Sequence, residues 1–260
     1  MATQTSPDGL LGLVKNGSLW LGSRDNTSPS SESKKLLRFN LPEIDSQFAG
    51  LSFGAVHEWS LKEEVLNSSS PPFLILASLL QSALQSKPDR RMILWVGEKC
   101  WPSFKILDLI SENTDWSWKT HCLFIRPQSK SERIYILRKA LASPSLLSVI
   151  GDISGISLTT SRQLQLAARV GGGIGFLCHS QQGLLKTSCA QTKWLVSPKR
   201  RGEKRTSLFE AETLAWNLEL LRAPGIPQPL RWEIKWENSG LASDRLEIPS
   251  IINETKYAIR

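Results

Sequence analysis

The residues with most to say about chemistry are those a triphosphate would need, and they are missing where they belong. Residues 51–59 read as a first core strand and residue 73 opens a helix. Residues 60–72 are therefore the strand-to-helix loop in which a phosphate cradle of the form G-x-x-x-x-G-K-[ST] is built. Such a cradle works because glycines let backbone N–H groups close around phosphate oxygens while its lysine reaches the terminal ones. No glycine lies between Gly54 and Gly97, and the loop's lysine, Lys62, is followed by Glu63 and Glu64, whose charges repel a triphosphate. Nucleotide hydrolysis is not expected here.

Other candidates read better as structure. The run Gly171, Gly172, Gly173 and Gly175 ends a helix and leads into a strand, whereas a phosphate loop leaves a strand and aims a helix N-terminus at the anion; a helix C-cap and tight turn is expected. Asp152 closes an apolar strand, where many α/β enzymes hold a metal, but without a phosphate lysine and a Mg²⁺-binding hydroxyl it reads as a turn residue. His57, His121 and His179 are isolated. Ser154, in Gly151-Asp152-Ile153-Ser154-Gly155, lacks the G-x-S-x-G spacing of a hydrolase elbow, so no catalytic residue is nominated. Cys100, Cys122, Cys178 and Cys189 form no Cys-x-x-Cys pair and have no histidine at finger spacing, so reduced thiols are expected, with no metal and no cofactor.

One charged segment stands out. Lys186, Lys193, Lys199, Arg200, Arg201, Lys204 and Arg205, against Glu203 alone, supply most of the formal net charge of +8. Cations at this density release counterions on meeting phosphates, which makes them candidate DNA-binding residues; a solvated loop between strands explains them equally well. Ten tryptophans are many for 260 residues. Base stacking is one use for them, but core or protein-interface packing accounts better for Trp216, Trp232 and Trp236, which fall on the apolar side of a hairpin.

The elements that must position these groups alternate in type, as in a mostly parallel sheet flanked by helices, so the fold class is α/β. After the strand at 51–59, a helix is expected from 73 to about 85, apolar nearly all round, then a doubly buried strand at 92–96. A helix at about 103–111, a strand at 121–125, a helix at 131–142 and a strand at 146–150 follow. Thr159 or Thr160 caps a helix to about Val170, and strands at 174–178 and 193–196 complete the core. Residues 216–220 and 231–237 alternate strictly in polarity around the breaker-rich 223–229, which gives a C-terminal antiparallel hairpin with one buried and one wet face.

Length and 40% hydrophobic content suit one main domain. Residues 1–35 divide into a short element at 10–21 and a polar linker at 22–35; 36–238 form the domain, and 239–260 a tail. No export signal is visible at the start, and the apolar stretch at 73–80 is far too short to cross a bilayer, so a cytoplasmic, nucleoid-associated location without membrane contact is expected.

Several segments, in order, resemble the ImuA family. They are Leu41-Pro42-Glu43-Ile44-Asp45, Phe48-Ala49-Gly50-Leu51-Ser52-Phe53-Gly54-Ala55-Val56-His57-Glu58-Trp59, Leu94-Trp95-Val96-Gly97, Ser161-Arg162-Gln163-Leu164-Gln165-Leu166-Ala167-Ala168-Arg169, Ala190-Gln191-Thr192-Lys193-Trp194, Leu218-Glu219-Leu220-Leu221-Arg222 and Arg231-Trp232-Glu233-Ile234-Lys235-Trp236. The resemblance covers about residues 36–238 and implies a RecA-like core. In that pattern Glu98 falls where a water-activating carboxylate sits, Asp152 where a Mg²⁺-associated aspartate sits, and residues 180–193 where a loop touches single-stranded DNA. With the phosphate loop gone, Glu98 and Asp152 are vestigial, and the resemblance implies a non-catalytic accessory of error-prone translesion synthesis in the DNA damage (SOS) response. The implied partners are an ImuB-like Y-family polymerase homologue, an error-prone replicative-type polymerase, single-stranded DNA and a RecA filament. Two other readings are a SulA-type cell-division inhibitor and a DNA-dependent ATPase with an unconventional loop.

Overall fold

Two short strands, β1 (Leu36–Leu37) and β2 (Leu51–Ser52), pair antiparallel at the edge of the core, with the four-residue helix α1 (Pro42–Asp45) between them. The expected strand over 51–59 is two strands, because a turn at Phe53 and Gly54, with Gly54 at φ 69°, separates β2 from β3 (Ala55–Leu61). The structure, a computed structural model, describes residues 35–62, 72–86, 91–98, 100–102, 121–153, 155–199, 214–237 and 240–244. The chain divides into units Met1–Ser33 and Lys34–Arg260, and every described residue falls in the second. The expected element at 10–21, the linker up to 34, the loop residues 63–71, the helix at 103–111, Ser154 and the tail beyond 244 lie outside the described residues.

Past β3 come α2 (Phe73–Ser86), β4 (Met92–Val96), β5 (Cys122–Ile125), α3 (Lys130–Leu141), β6 (Leu146–Asp152), α4 (Leu158–Gly171), β7 (Ile174–Cys178), α5 (Gln181–Leu184) and β8 (Thr192–Pro198). Strands β9 (Ala215–Arg222), β10 (Leu230–Glu237) and β11 (Gly240–Asp244) close the described chain. Nine of these strands form one sheet in the order β11-β10-β9-β8-β3-β7-β6-β4-β5. The six from β8 to β5 are parallel, and β9, β10 and β11 add on antiparallel. The hairpin is thus one strand longer than its alternation announces: β11, assigned by sequence to the tail, pairs along β10 from Glu237↔Gly240 to Glu233↔Asp244.

Burial follows from this order. Strand β3 has parallel neighbours on both edges and helices on both faces, so its first six residues are buried. On one face α2 lays Ile75, Leu76, Leu79 and Leu80 against Trp59, Trp95 and Phe176. On the other, Leu137 and Leu141 of α3 and Leu164 and Ala168 of α4 pack on Val56, Val96, Val149 and Leu177. The aromatic centre of the first face is Trp194, stacked on Trp59 at 5.1 Å and flanked by Phe39, Phe48 and Trp232. Tryptophans 59, 95, 194 and 232 are core residues, while Trp216 and Trp236 are half-buried against them.

The cap of helix α4 lies two residues before Thr159 and three before Thr160, the expected caps: the Ser157 hydroxyl, in extended backbone, accepts from the Thr160 N–H at 3.1 Å. Serine is by type a somewhat better cap than threonine, and the extended backbone at Ser157 fits it for the position. The helix stops where expected, with Gly172 at φ 69° donating to the Ala168 carbonyl.

Strand β3 also buries a histidine. The Trp194 indole donates to Thr192 Oγ1 (2.8 Å), the Thr192 hydroxyl donates to His57 Nδ1 (2.8 Å), and His57 Nε2 donates to the Ser52 carbonyl (3.0 Å). Burial, against the opposing pull of the Ser52 bond, lowers the His57 pKa from 6.5 to about 4. Because the folded value lies below the unfolded one, the neutral ring contributes stability that is full above pH 6.5 and drains as pH falls toward 4. At 1.36 kcal/mol per unit that is about 3 kcal/mol. Urea unfolding across this interval should show a loss of that order, and His57→Gln should flatten it.

Candidate functional site

The parallel strands β3, β7, β6 and β4 all end on one side of the sheet, the side where open α/β sheets hold ligands. Two of the groups singled out in the sequence meet there. Asp152, the last residue of β6, pairs through Oδ1 with Arg133 Nη1 of α3 at 3.0 Å and accepts the Glu98 backbone N–H on Oδ2 at 3.2 Å. A Cβ on Gly97 would lie 2.3 Å from Asp152 Oδ1, so at φ 147° only glycine lets the chain leaving β4 close over this carboxylate. Arg133 is delivered by a well-anchored helix start, where the Ser129 hydroxyl accepts from the Glu132 N–H and the Glu132 carboxylate accepts from the Gln128 N–H. Asp152 is therefore a strut joining β6, β4 and α3 rather than a turn residue, which corrects the sequence reading. What brought Glu98 to Asp152 is its backbone N–H.

Nearby thiols are quiet. Burial, reinforced by Asp152, pushes the Cys100 thiol up to about 12, burial raises Cys122 to about 11, and Cys178 goes well above its ordinary value. All four cysteines are free.

A second constellation lies under the other face of β3. Glu58, at the middle of that strand, points toward α4 and α5, where a full charge cannot stand alone. Its carboxylate accepts the Ser188 hydroxyl at 2.7 Å, lies 3.5 Å from Lys193 Nζ and lies 3.5 Å from His179 Nε2. Burial pushes its pKa up, but His179, Ser188 and Lys193 outweigh that and hold it below 4.5. Its contribution to stability is therefore complete above pH 4.5 and lost as pH falls below. Burial conversely holds Lys193 below its usual range, against the pull of Glu58.

These groups pin the segment between β7 and β8. Lys193 Nζ donates to the Leu184 carbonyl at 2.8 Å and to the Lys186 carbonyl; Arg222 of β9 donates to the Ser188 carbonyl at 3.2 Å and to the Ala190 carbonyl. The Cys189 N–H donates to Ser161 Oγ of α4 at 2.9 Å. With Ser188 on Glu58, side chains from β3, α4, β8 and β9 fix one short loop. A groove of about 320 Å³ elsewhere, lined by residues such as Phe48, Gln191 and Ile226, carries no charged side chain.

The expected DNA-binding residues separate. Lys193 is buried and turned inward, so it is withdrawn from any DNA-facing group; a lysine inside a strand flanked by two others points to a core face, and here that face holds Glu58. Lys199 pairs with Glu233 while keeping about half its side chain in solvent. Glu233 itself is buried, so the hairpin face expected to be wet is partly covered by Lys199 and Lys235. Lys186 is exposed. Arg200, Arg201, Lys204 and Arg205 lie outside the described residues. Sequence reasoning missed Glu58, Arg133 and Ser188 and called His179 isolated. The one available signal was a glutamate inside an apolar strand, which demands a buried partner.

No family model matches the sequence, and no curated protein matches it. Among solved structures, the chain is similar to the crystal structure of the RadB recombinase, with a TM-score of 0.56 and 12% identity over 81% of this chain and 100% of that one. At that identity the likeness shows the architecture: a RecA-like α/β fold.

Removing one partner of the Glu58–Lys193 pair strands a buried charge and should cost about 3–5 kcal/mol, whereas removing both leaves none. Urea unfolding of Glu58→Gln, Lys193→Met and the double variant should give a double-variant loss at least about 1 kcal/mol below the sum of the singles. Additive losses would mean the two charges are not coupled.

Proposed function

We propose that this RecA-like chain works by binding and not by nucleotide turnover, as a non-catalytic accessory protein of error-prone translesion DNA synthesis. On this reading it engages an ImuB-like Y-family polymerase homologue, joins an error-prone replicative-type polymerase and touches single-stranded DNA. The observation that carries the non-catalytic part is the Arg133–Asp152 pair with the Glu98 N–H on the same carboxylate. A carboxylate whose charge is matched by a guanidinium offers a divalent cation little, since the metal must displace an ion pair before it can bind. The sequence supports the same conclusion, because residues 60–72 carry no glycine and place two glutamates after Lys62. The role in mutagenesis is supported by the ordered segments that resemble the ImuA family.

The loop pinned by Lys193, Arg222 and Glu58 lies where a RecA-like protein's DNA-contacting loop is expected, and it presents Lys186 outward. The basic run at 199–205 follows one strand later. Fluorescence anisotropy with single-stranded DNA should therefore show micromolar or weaker binding that declines with salt. Four phosphate contacts correspond to a log–log slope of about −3. Changing Arg200, Arg201, Lys204 and Arg205 to Glu should abolish binding, and survival of binding in that variant would place the DNA elsewhere. In cells, deletion should lower damage-induced mutation, and overexpression should leave division unaffected; filamentation instead would favour a division inhibitor.

The tail is tested by capture of the polymerase-like partner with the full chain and with a chain ending at Asp244, since a cut at 239 would remove β11 from the sheet. Capture is expected to fall on truncation. Unchanged capture removes the tail from the interface.

A further inference from the structure

Glu58 and His179 face each other across a gap that neither closes. His179 Nε2 lies 3.5 Å from Glu58 Oε1, beyond the roughly 2.7–3.2 Å of a hydrogen bond. Glu58 is 1% exposed and His179 3%, and Glu58 Oε1, His179 Nδ1 and His179 Nε2 find no hydrogen-bond partner among the described residues. Buried polar atoms are nearly always satisfied, so three unsatisfied ones in one place point to a ligand that the protein's own atoms do not supply.

The gap is not closed by a swing of either side chain, because each is tied down from elsewhere. On the far side of the carboxylate, the Ser188 hydroxyl donates to Oε2 at 2.7 Å. Lys193 Nζ, 3.5 Å from the same oxygen, is itself fixed on the carbonyls of Leu184 and Lys186. The histidine is anchored through its backbone, whose N–H donates to the Trp59 carbonyl at 2.8 Å. Helix α5 walls in its ring: a Cβ added to Gly183 would lie 3.2 Å from Nδ1.

Between the two side chains lies a cavity of about 10 Å³, lined by Glu58 and His179 and by Gly155, Gly183, Thr187 and Ser188 of the neighbouring segments. That is roughly the space one water molecule needs, at about 10–15 Å³. The walls select against other small ligands. Glu58 repels an anion and Lys193 beside it repels a cation, and among the described residues no group of three His, Cys, Asp or Glu side chains could hold a metal ion. A neutral molecule that both accepts and donates hydrogen bonds fits what is left. We propose that this cavity binds one structural water, which accepts the His179 imidazole N–H and donates to Glu58 Oε1. The water joins the exit of β7 to the centre of β3 and completes the polar contacts that fix the segment between β7 and β8. Because Gly155, in the loop before α4, supplies part of the wall, the water leaves only when one of these segments opens, so it exchanges far more slowly than a surface water.

The inference is independent of the DNA and mutagenesis reading, and two measurements on the full chain test it. A crystal structure at a resolution that shows ordered waters should place a density peak within about 3.2 Å of both Glu58 Oε1 and a ring nitrogen of His179. In solution, oxygen-17 relaxation dispersion of water should count one more long-lived internal water in the wild-type chain than in His179→Phe, whose ring fills similar space without a nitrogen. Far-ultraviolet circular dichroism checks that the variant is folded, and the crystallographic measurement needs no variant at all. A cavity without a peak, a direct bond between His179 and Glu58 in place of one, or equal water counts in the two folded chains overturns the proposal.

Discussion

A carboxylate inside the sheet sets the terms for much of this molecule. Glu58 sits at the centre of β3, covered on both faces and paired on both edges, and a charge there must be matched from within. Lys193 reaches it from the adjacent strand, Ser188 and His179 from the segment above. The same lysine gathers the carbonyls of residues 184 and 186, so satisfying one charge also fixes the loop that crosses from β7 to β8. One residue back, His57 faces the opposite core and ties Ser52, Thr192 and Trp194 into a single chain of hydrogen bonds. Strand β3 thus specifies the register of its neighbours by polar contacts on one face and then the other, beyond what hydrophobic burial alone would select.

The same logic governs the strand ends. Gly97 lets the chain close over Asp152, and Arg133 completes the carboxylate's charge, so three elements are joined on the side of the sheet where open α/β folds hold ligands. A RecA-like sheet has long edges, broad helical faces and loops gathered on one side. Held rigid by internal ion pairs, such a scaffold presents surfaces, and the exposed aliphatics of α4, Leu158, Leu166 and Val170, are one of them.

Much of the fold was legible because burial writes itself as pattern. The run Met92–Val96 and the strand Ile174–Cys178 carry boundaries that continuous apolarity defines, and the glycines after α4 mark its end through backbone conformation alone. The alternation of β9 and β10 announced their pairing, yet β11 escaped notice because Gly240–Asp244 is short and weakly alternating. The site was less legible, since its contacts join residues 130 positions apart, as Ser188 and Glu58 are. Lys193 looked like one more cation in a basic run; only the strand pairing of β8 with β3 turns it inward. The segments that carried the family resemblance prove to meet in space. Ser161 bonds the backbone of Cys189, Gln165 that of Val56, Gln191 the Ser52 hydroxyl, and Arg222 the Ala190 carbonyl, all around β3.

The claim that the strand-end carboxylate is committed to Arg133 is tested most directly by isothermal titration of the full chain with ATP and magnesium. No saturable heat is expected, in the wild-type chain or in Asp152→Asn. Saturable, magnesium-dependent heat that disappears in Asp152→Asn would contradict it, because the carboxylate would then be holding a metal.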